Sequence, residues 1–181
     1  MAVLTPLALL RDLAQRYRVQ ATDLPDAPDL DAAWSGIGFR LGPHALVVAM
    51  SEVSEILQAP KVTRLPNVQA WVLGVANVRG RLLPLLDLPR FFDLGDSSGR
   101  PHRGRPVLVV EQGEQSDGLV VDALEGMQHF ADEDFSTEMP DIAASLQPFI
   151  RGQYRRDQRQ WALISLTALV AHPQFQQVAL S

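Results

Sequence analysis

The chain contains no cysteine, a single lysine (Lys61) and no extended apolar run. Without cysteine, disulfides, thiolate metal sites and a cysteine nucleophile are excluded, and the absence fits a reducing compartment. No stretch approaches the roughly 20 apolar residues that a membrane-crossing helix needs. Arg11, Asp12 and Arg16 break up what would otherwise be the apolar middle of a signal peptide. The expected location is therefore the cytoplasm. A net charge of −5 argues against nucleic acid as the main partner, since phosphate binding needs a positive surface.

Catalytic patterns are equally scarce. His44, His102, His129 and His172 are scattered without ligand spacing, so no metal site and no cofactor is expected. No serine sits in a Gly-x-Ser-x-Gly elbow. Gly95, Gly99 and Gly104 do not open a helix as a phosphate loop would. The acids Asp132, Glu133, Asp134, Glu138 and Asp141 lack the alternating oxygens of a calcium loop and read as a solvated acidic stretch. Arg100, His102, Arg103 and Arg105 read as a solvated linker, because no aromatics interleave them. The chain is expected not to be an enzyme.

What is present is a succession of short β-type runs. Thr5–Arg18 first predicts a helix, capped by Thr5, with Pro6 at its first position and Leu7, Leu10, Ala14 and Tyr17 on one face. That face either packs on the body or docks a partner, and the sequence leaves both open. Asp23–Asp31, with Pro25 and Pro28, reads as a linker. From Trp34 onward, apolar alternation and turn residues predict strands around Ile37–Leu41, Ala45–Ala49, Val72–Val78, Leu82–Leu86, Val107–Val110, Leu119–Val121, Phe149–Tyr154 and Trp161–Leu166. Pro84 predicts an edge strand or a bulge for its run. Asp93–Arg105 reads as a boundary.

A repeat runs through these strands. Leu46-Val47-Val48 recurs as Leu119-Val120-Val121, 73 positions later. Val72, Gly74, Leu85, Leu86, Leu88 and Phe91 recur as Ile150, Gly152, Leu163, Ile164, Leu166 and Leu169, all 78 positions later. Two copies of one small β-unit explain both, and many short strands point to small barrels that close their own edges.

The stretch Val53-Ser-Glu55-Ile56, Thr63-Arg64-Leu65-Pro66-Asn67, Leu73-Gly74-Val75-Ala-Asn77-Val78-Arg79-Gly80 and Leu83-Pro84-Leu85-Leu86-Asp87-Leu88 resembles the CheW-like domain signature. Gly118-Leu119-Val120-Val121-Asp122 and Trp161-Ala-Leu163-Ile164-Ser-Leu166 continue it, so the resemblance covers about Trp34 to Pro173. It implies an all-β fold of two tandem five-stranded SH3-like barrels with short connecting helices. The expected organisation is 1–33 helix and linker, 34–94 first barrel, 106–173 second barrel and 174–181 tail.

The resemblance also implies a scaffold that couples the cytoplasmic tip of a methyl-accepting chemoreceptor to a CheA-type histidine kinase. It places Glu55 and Arg79 at the coupling surface. Val53 and Ile56 are expected in an apolar groove between the barrels, Val107 on its other wall. Gly74 and Gly80 are expected to serve backbone geometry, and Asp87 and Asp122 to stabilise turns. The long amino-terminal extension and Trp34-Ser-Gly-Ile-Gly-Phe39-Arg-Leu41 resemble adaptors of type IV pilus (twitching-motility) systems more than flagellar ones. His44-Ala45 stands where many relatives carry an aromatic. A small-molecule-binding β-barrel is the rival from another class, and it would need polar groups converging inside strands that here are almost purely aliphatic.

Overall fold

A computed structural model describes residues 33–95, 101–156 and 158–179. The helix predicted at Thr5–Arg18 and the linker Asp23–Asp31 lie outside the described residues. Residues 33–181 form a compact unit by themselves. Removing residues 1–32 is therefore expected to leave a protein that unfolds in one cooperative transition by circular dichroism. A truncated chain recovered only as aggregate would show that the barrels need the extension.

Eleven strands are formed among the described residues: β1 (Ala33–Leu41), β2 (His44–Ala49), β3 (Glu55–Gln58), β4 (Val72–Val78), β5 (Arg81–Asp87), β6 (Pro106–Gln112), β7 (Gln115–Val120), β8 (Ala123–Ala131), β9 (Phe135–Ser136), β10 (Ile150–Arg156) and β11 (Arg159–Ile164). Short helices follow β5 and β11: α1 (Leu88–Phe91), α2 (Leu166–Val170) and α3 (Pro173–Gln176). One sheet has the order β8-β1-β2-β11-β10-β9, the other β3-β6-β7-β5-β4. Each sheet curls into an SH3-like barrel. The two-residue strand β9 pairs with β10 where, in the other barrel, Thr63 bridges to Val75 of β4.

The barrels do not follow the division at 94 and 106 expected from the sequence. One is built from β3 through β7, residues 55–120, and the other from β1, β2 and β8 through β11 on either side of it. Each sequence copy gives its first hairpin to one barrel and its later strands to the other. The segment between α1 and β6 thus joins strands of one barrel and is no inter-barrel linker. The chain passes between barrels twice, at 49–55 through a 3-10 turn (Met50–Glu52) and at 120–123. Both passages are tied down. The Glu52 carboxylate accepts from Thr167 N at 2.7 Å and Ser165 Oγ at 3.2 Å, and Asp122 accepts from Gly42 N at 2.7 Å.

The repeat survives in register. Val72 pairs with Leu86 and Gly74 with Leu85 across a bulge; Ile150 pairs with Ile164 and Gly152 with Leu163 across its counterpart. Both bulge glycines have positive φ, +129° and +155°. A Cβ on Gly74 would lie 2.1 Å from the Thr63 carbonyl oxygen, and one on Gly152 2.6 Å from that of Ser136, so a close backbone approach fixes glycine at both places.

Of the two expectations for Pro84, the edge strand is corrected, because β5 lies inside its sheet between β7 and β4, whereas the hairpin does carry a bulge, in the facing strand at Val72–Gly74. Pro84 faces Val75, whose N–H and C=O both bond to Thr63. It also stands one residue before β5 begins to pair with β7 at Leu85. The missing N–H therefore leaves no ladder bond unmade.

Three buried clusters explain the unbroken apolar runs. Val47, Phe130, Tyr154 and Trp161 fill one barrel, and Leu85, Val107, Val109 and Val120 the other. The largest joins both sheets, with Leu46 and Val48 from one against Leu86, Leu108, Val110, Leu119 and Val121 from the other. Alternate residues of β2, β6 and β7 thus face a barrel interior and the seam, and a strand buried on both faces must be apolar throughout. The expected tail is anchored to the body over its described residues, 174–179. Phe175 is buried, its ring 5.5 Å from Trp71 and 5.2 Å from Phe91, and Gln69 N donates to Val178 O.

Candidate functional site

The turn joining β4 and β5 is closed by the pair Val78 and Arg81. Its two central residues, Arg79 and Gly80, both have positive φ, +51° and +83°. Two such residues define a type I′ turn, whose twist matches that of the flanking strands and whose preferred occupants are Asn and Gly. Asn77 Oδ1 accepts from Gly80 N at 2.9 Å and locks the turn. An arginine held in the left-handed region costs about 1 kcal/mol relative to glycine, so local geometry does not select Arg79.

The Arg79 guanidinium reaches across the barrel mouth to β3 and pairs with Glu55 at 2.8 Å. The arginine side chain is 80% exposed and the glutamate 33%. An ion pair this open contributes at most about 1 kcal/mol to stability. Beside it, Arg81 lies 3.7 Å from Glu111. Leu57, Val78 and Leu83 help floor a depression of about 270 Å³ under these charges, and Leu82 stands at its rim, 75% exposed.

The other expected contact residues are distributed differently. Ile56, one residue beyond Glu55, turns to the opposite face of β3 and is 41% exposed. Val53 packs partly buried against the largest core cluster. Val107 is wholly buried inside its barrel and offers no atom to a partner, which corrects its expected place on a groove wall. The seam is filled by the largest cluster, and partner-accessible apolar atoms lie at its rim and at the hairpin. Leu82 is the exposed apolar residue of this hairpin that strand-pattern reading missed. Its signal was an apolar residue just after a turn, in a strand whose register was not yet known.

A buried ionic group lies at the other end of β5. Asp87 is 1% exposed; its Oδ2 accepts from Arg105 NH1 at 3.2 Å and lies 3.7 Å from Arg90 Nε. Arg105 also donates to Asp122 Oδ1 at 3.0 Å and, through Nε, to Val121 O at 3.2 Å. Burial pushes the Asp87 carboxyl above its ordinary range, against the pull of Arg105 and Arg90. Arg105, which reads as a solvated linker residue, is thus the centre of a structural clamp. Its partners lie 17 and 18 residues away, beyond what local spacing reveals.

Among the described residues no group of three or more metal-ligating side chains comes together, and no helix is long and apolar enough to cross a membrane. The geometry offers a paired fork of donors and acceptors on an apolar floor, which suits recognition of another surface.

The CheW-like domain family matches residues 35–174, and the chain belongs to it. The Protein PilI of Pseudomonas aeruginosa is 48% identical over 177 residues, spanning 98% of both chains. A probable chemotaxis protein CheW of Rhizobium etli is 34% identical over 134 residues, 74% of this chain and 84% of that one. The crystal structure of the scaffolding protein TtCheW from Thermoanaerobacter tengcongensis shares the fold, with a TM-score of 0.67 at 20% identity, over 83% of this chain and 96% of that one.

Proposed function

We propose that this chain is a chemosensory scaffold that couples the cytoplasmic tip of a methyl-accepting chemoreceptor to a CheA-type histidine kinase in a pathway controlling type IV pilus twitching. It acts by binding and not by turnover, and is recruited to receptor arrays through its partners. The likeness to PilI over nearly the full length of both chains supports the pilus assignment over a flagellar one. Glu55, Arg79 and Leu82 form one part of the coupling surface, and Ile56, on the opposite face of β3, with the half-buried Val53 forms a second, apolar part.

The observation that carries this reading is Arg79 in a turn position where asparagine or glycine is preferred, nearly fully exposed and flanked by an exposed leucine. The fold loses by its presence, so binding is what it serves. A guanidinium there can grip a partner carboxylate through two parallel bonds, while Leu82 supplies apolar contact area beside it.

Arg79→Asn tests this directly. The substitution is expected to keep or raise thermal stability, by up to about 1 kcal/mol. In co-sedimentation with a receptor cytoplasmic fragment and the kinase, affinity is expected to fall about tenfold, near the 1.4 kcal/mol that one lost charged contact removes. A variant that co-sediments like the parent would remove Arg79 from the coupling surface. One that loses stability together with binding would reassign the arginine to the turn.

A further inference from the structure

The basic stretch before β6 divides in the folded chain. Arg105 turns inward to the clamp, whereas His102 and Arg103 line a concavity of about 520 Å³ together with Arg64 and Arg90. Val72 and Leu73, at the start of β4, form part of its floor, and among the described residues no acidic side chain lines it. Arg90 is braced at the wall by Ala70 O at 3.5 Å and Asp87 at 3.7 Å. The charges of Arg90 and Arg105 are balanced by Asp87 and Asp122. Arg64 and Arg103 make no ion pair with a described residue, so the described lining of the concavity carries an excess positive charge in a chain whose net charge is −5.

We propose that this concavity docks an extended acidic segment of a protein partner, with carboxylates on the guanidinia and apolar side chains on Val72 and Leu73. Guanidinium is the side chain best suited to grip carboxylates at an interface. A small anion is disfavoured, because such ligands are fixed by a few buried, convergent polar groups. Here Arg64 and Arg103 are exposed and Arg90 and His102 half-buried. Three separate segments, before β4, in α1 and before β6, contribute the charges, which suits an occupant lying across them. The site is not the coupling surface. The two occupy opposite ends of β4, whose six residue steps separate them by about 20 Å.

The experiment uses the full chain and a dye-labelled short peptide alternating Glu with Leu, followed by fluorescence anisotropy. Binding is expected to weaken about tenfold or more in the double variant Arg64→Glu/Arg103→Glu and to decline with added salt. It should be unchanged in Arg79→Glu, which separates this proposal from the coupling role. Both arginines of the double variant are exposed, and circular dichroism verifies that it is folded. Three results would overturn the proposal: no binding, equal binding of an uncharged control peptide in which Gln replaces every Glu, or equal affinity in the double variant. Displacement of the peptide by pyrophosphate as readily as by unlabelled peptide would overturn it too, by making this a small-anion site.

Discussion

Gly74→Ala is expected to cost about 3–5 kcal/mol, read as a lowered urea midpoint by tryptophan fluorescence. Two independent terms produce this loss. At φ +129° a residue with a Cβ occupies a strained backbone region, at about 1–3 kcal/mol. The new carbon would also sit 2.1 Å from the Thr63 carbonyl oxygen, and relieving such a clash moves backbone, at about 1–3 kcal/mol more. Thr63 cannot give way freely, because its N–H and C=O are both bonded to Val75. Gly152→Ala should follow the same course against Ser136. Gly80→Ala is the control, with positive φ but open space around it, and it should cost only about 1–2 kcal/mol. Equal losses at positions 74 and 80 would mean that the close approach contributes nothing.

Arg105→Met is expected to destabilise the protein by about 3–5 kcal/mol, the range for removing one partner from a buried ion cluster. The side chain is 10% exposed and serves two carboxylates from β5 and from the passage at 120–123. Its loss leaves Asp87 with only Arg90 at 3.7 Å. The pH dependence carries a sign. Burial already holds the folded pKa of Asp87 above its unfolded value, and removing Arg105 raises it further. Such a group contributes stability below the unfolded carboxylate pKa, and that contribution is lost as pH rises through the folded pKa. The deficit of Arg105→Met should therefore shrink as pH is lowered from neutral toward 4, the ordinary carboxylate range of about 3.9. Adding Asp87→Asn should recover part of the loss at neutral pH. A deficit that is flat in pH and unrelieved by Asp87→Asn would show that Arg105 acts by packing alone.

Much of the fold is legible in the sequence because the repeat is local. The 78-residue offset carries the β4–β5 hairpin, its bulge glycine and α1 onto β10, β11 and α2, and the observed pairs hold that spacing. Which copy's first hairpin completes which barrel is not legible. The two copies offer equivalent strands, so either assignment satisfies the same pattern. Val107 went astray for a related reason. In Val107-Leu108-Val109-Val110 every residue is apolar, and a strand covered on both faces gives no alternation to say which residue meets solvent. Pro84 looked like an edge marker because its tolerance depends on Thr63 taking up both bonding groups of Val75, a contact across twelve residues. Glu55 and Arg79 were singled out through resemblance alone, and the structure shows that they form an ion pair. Leu82 and the Arg105 clamp required three-dimensional register.

The double passage of the chain has a mechanical consequence. Two protein domains on one flexible tether can swivel, and the separation of sites on their far sides then fluctuates. Here a pair of anchored covalent spans flanks a solid apolar weld, and twisting one half against the other would strain both spans and open the weld together. The two-barrel unit is thereby a stiff bracket: whatever grips one half is held at a set distance and angle from whatever grips the other.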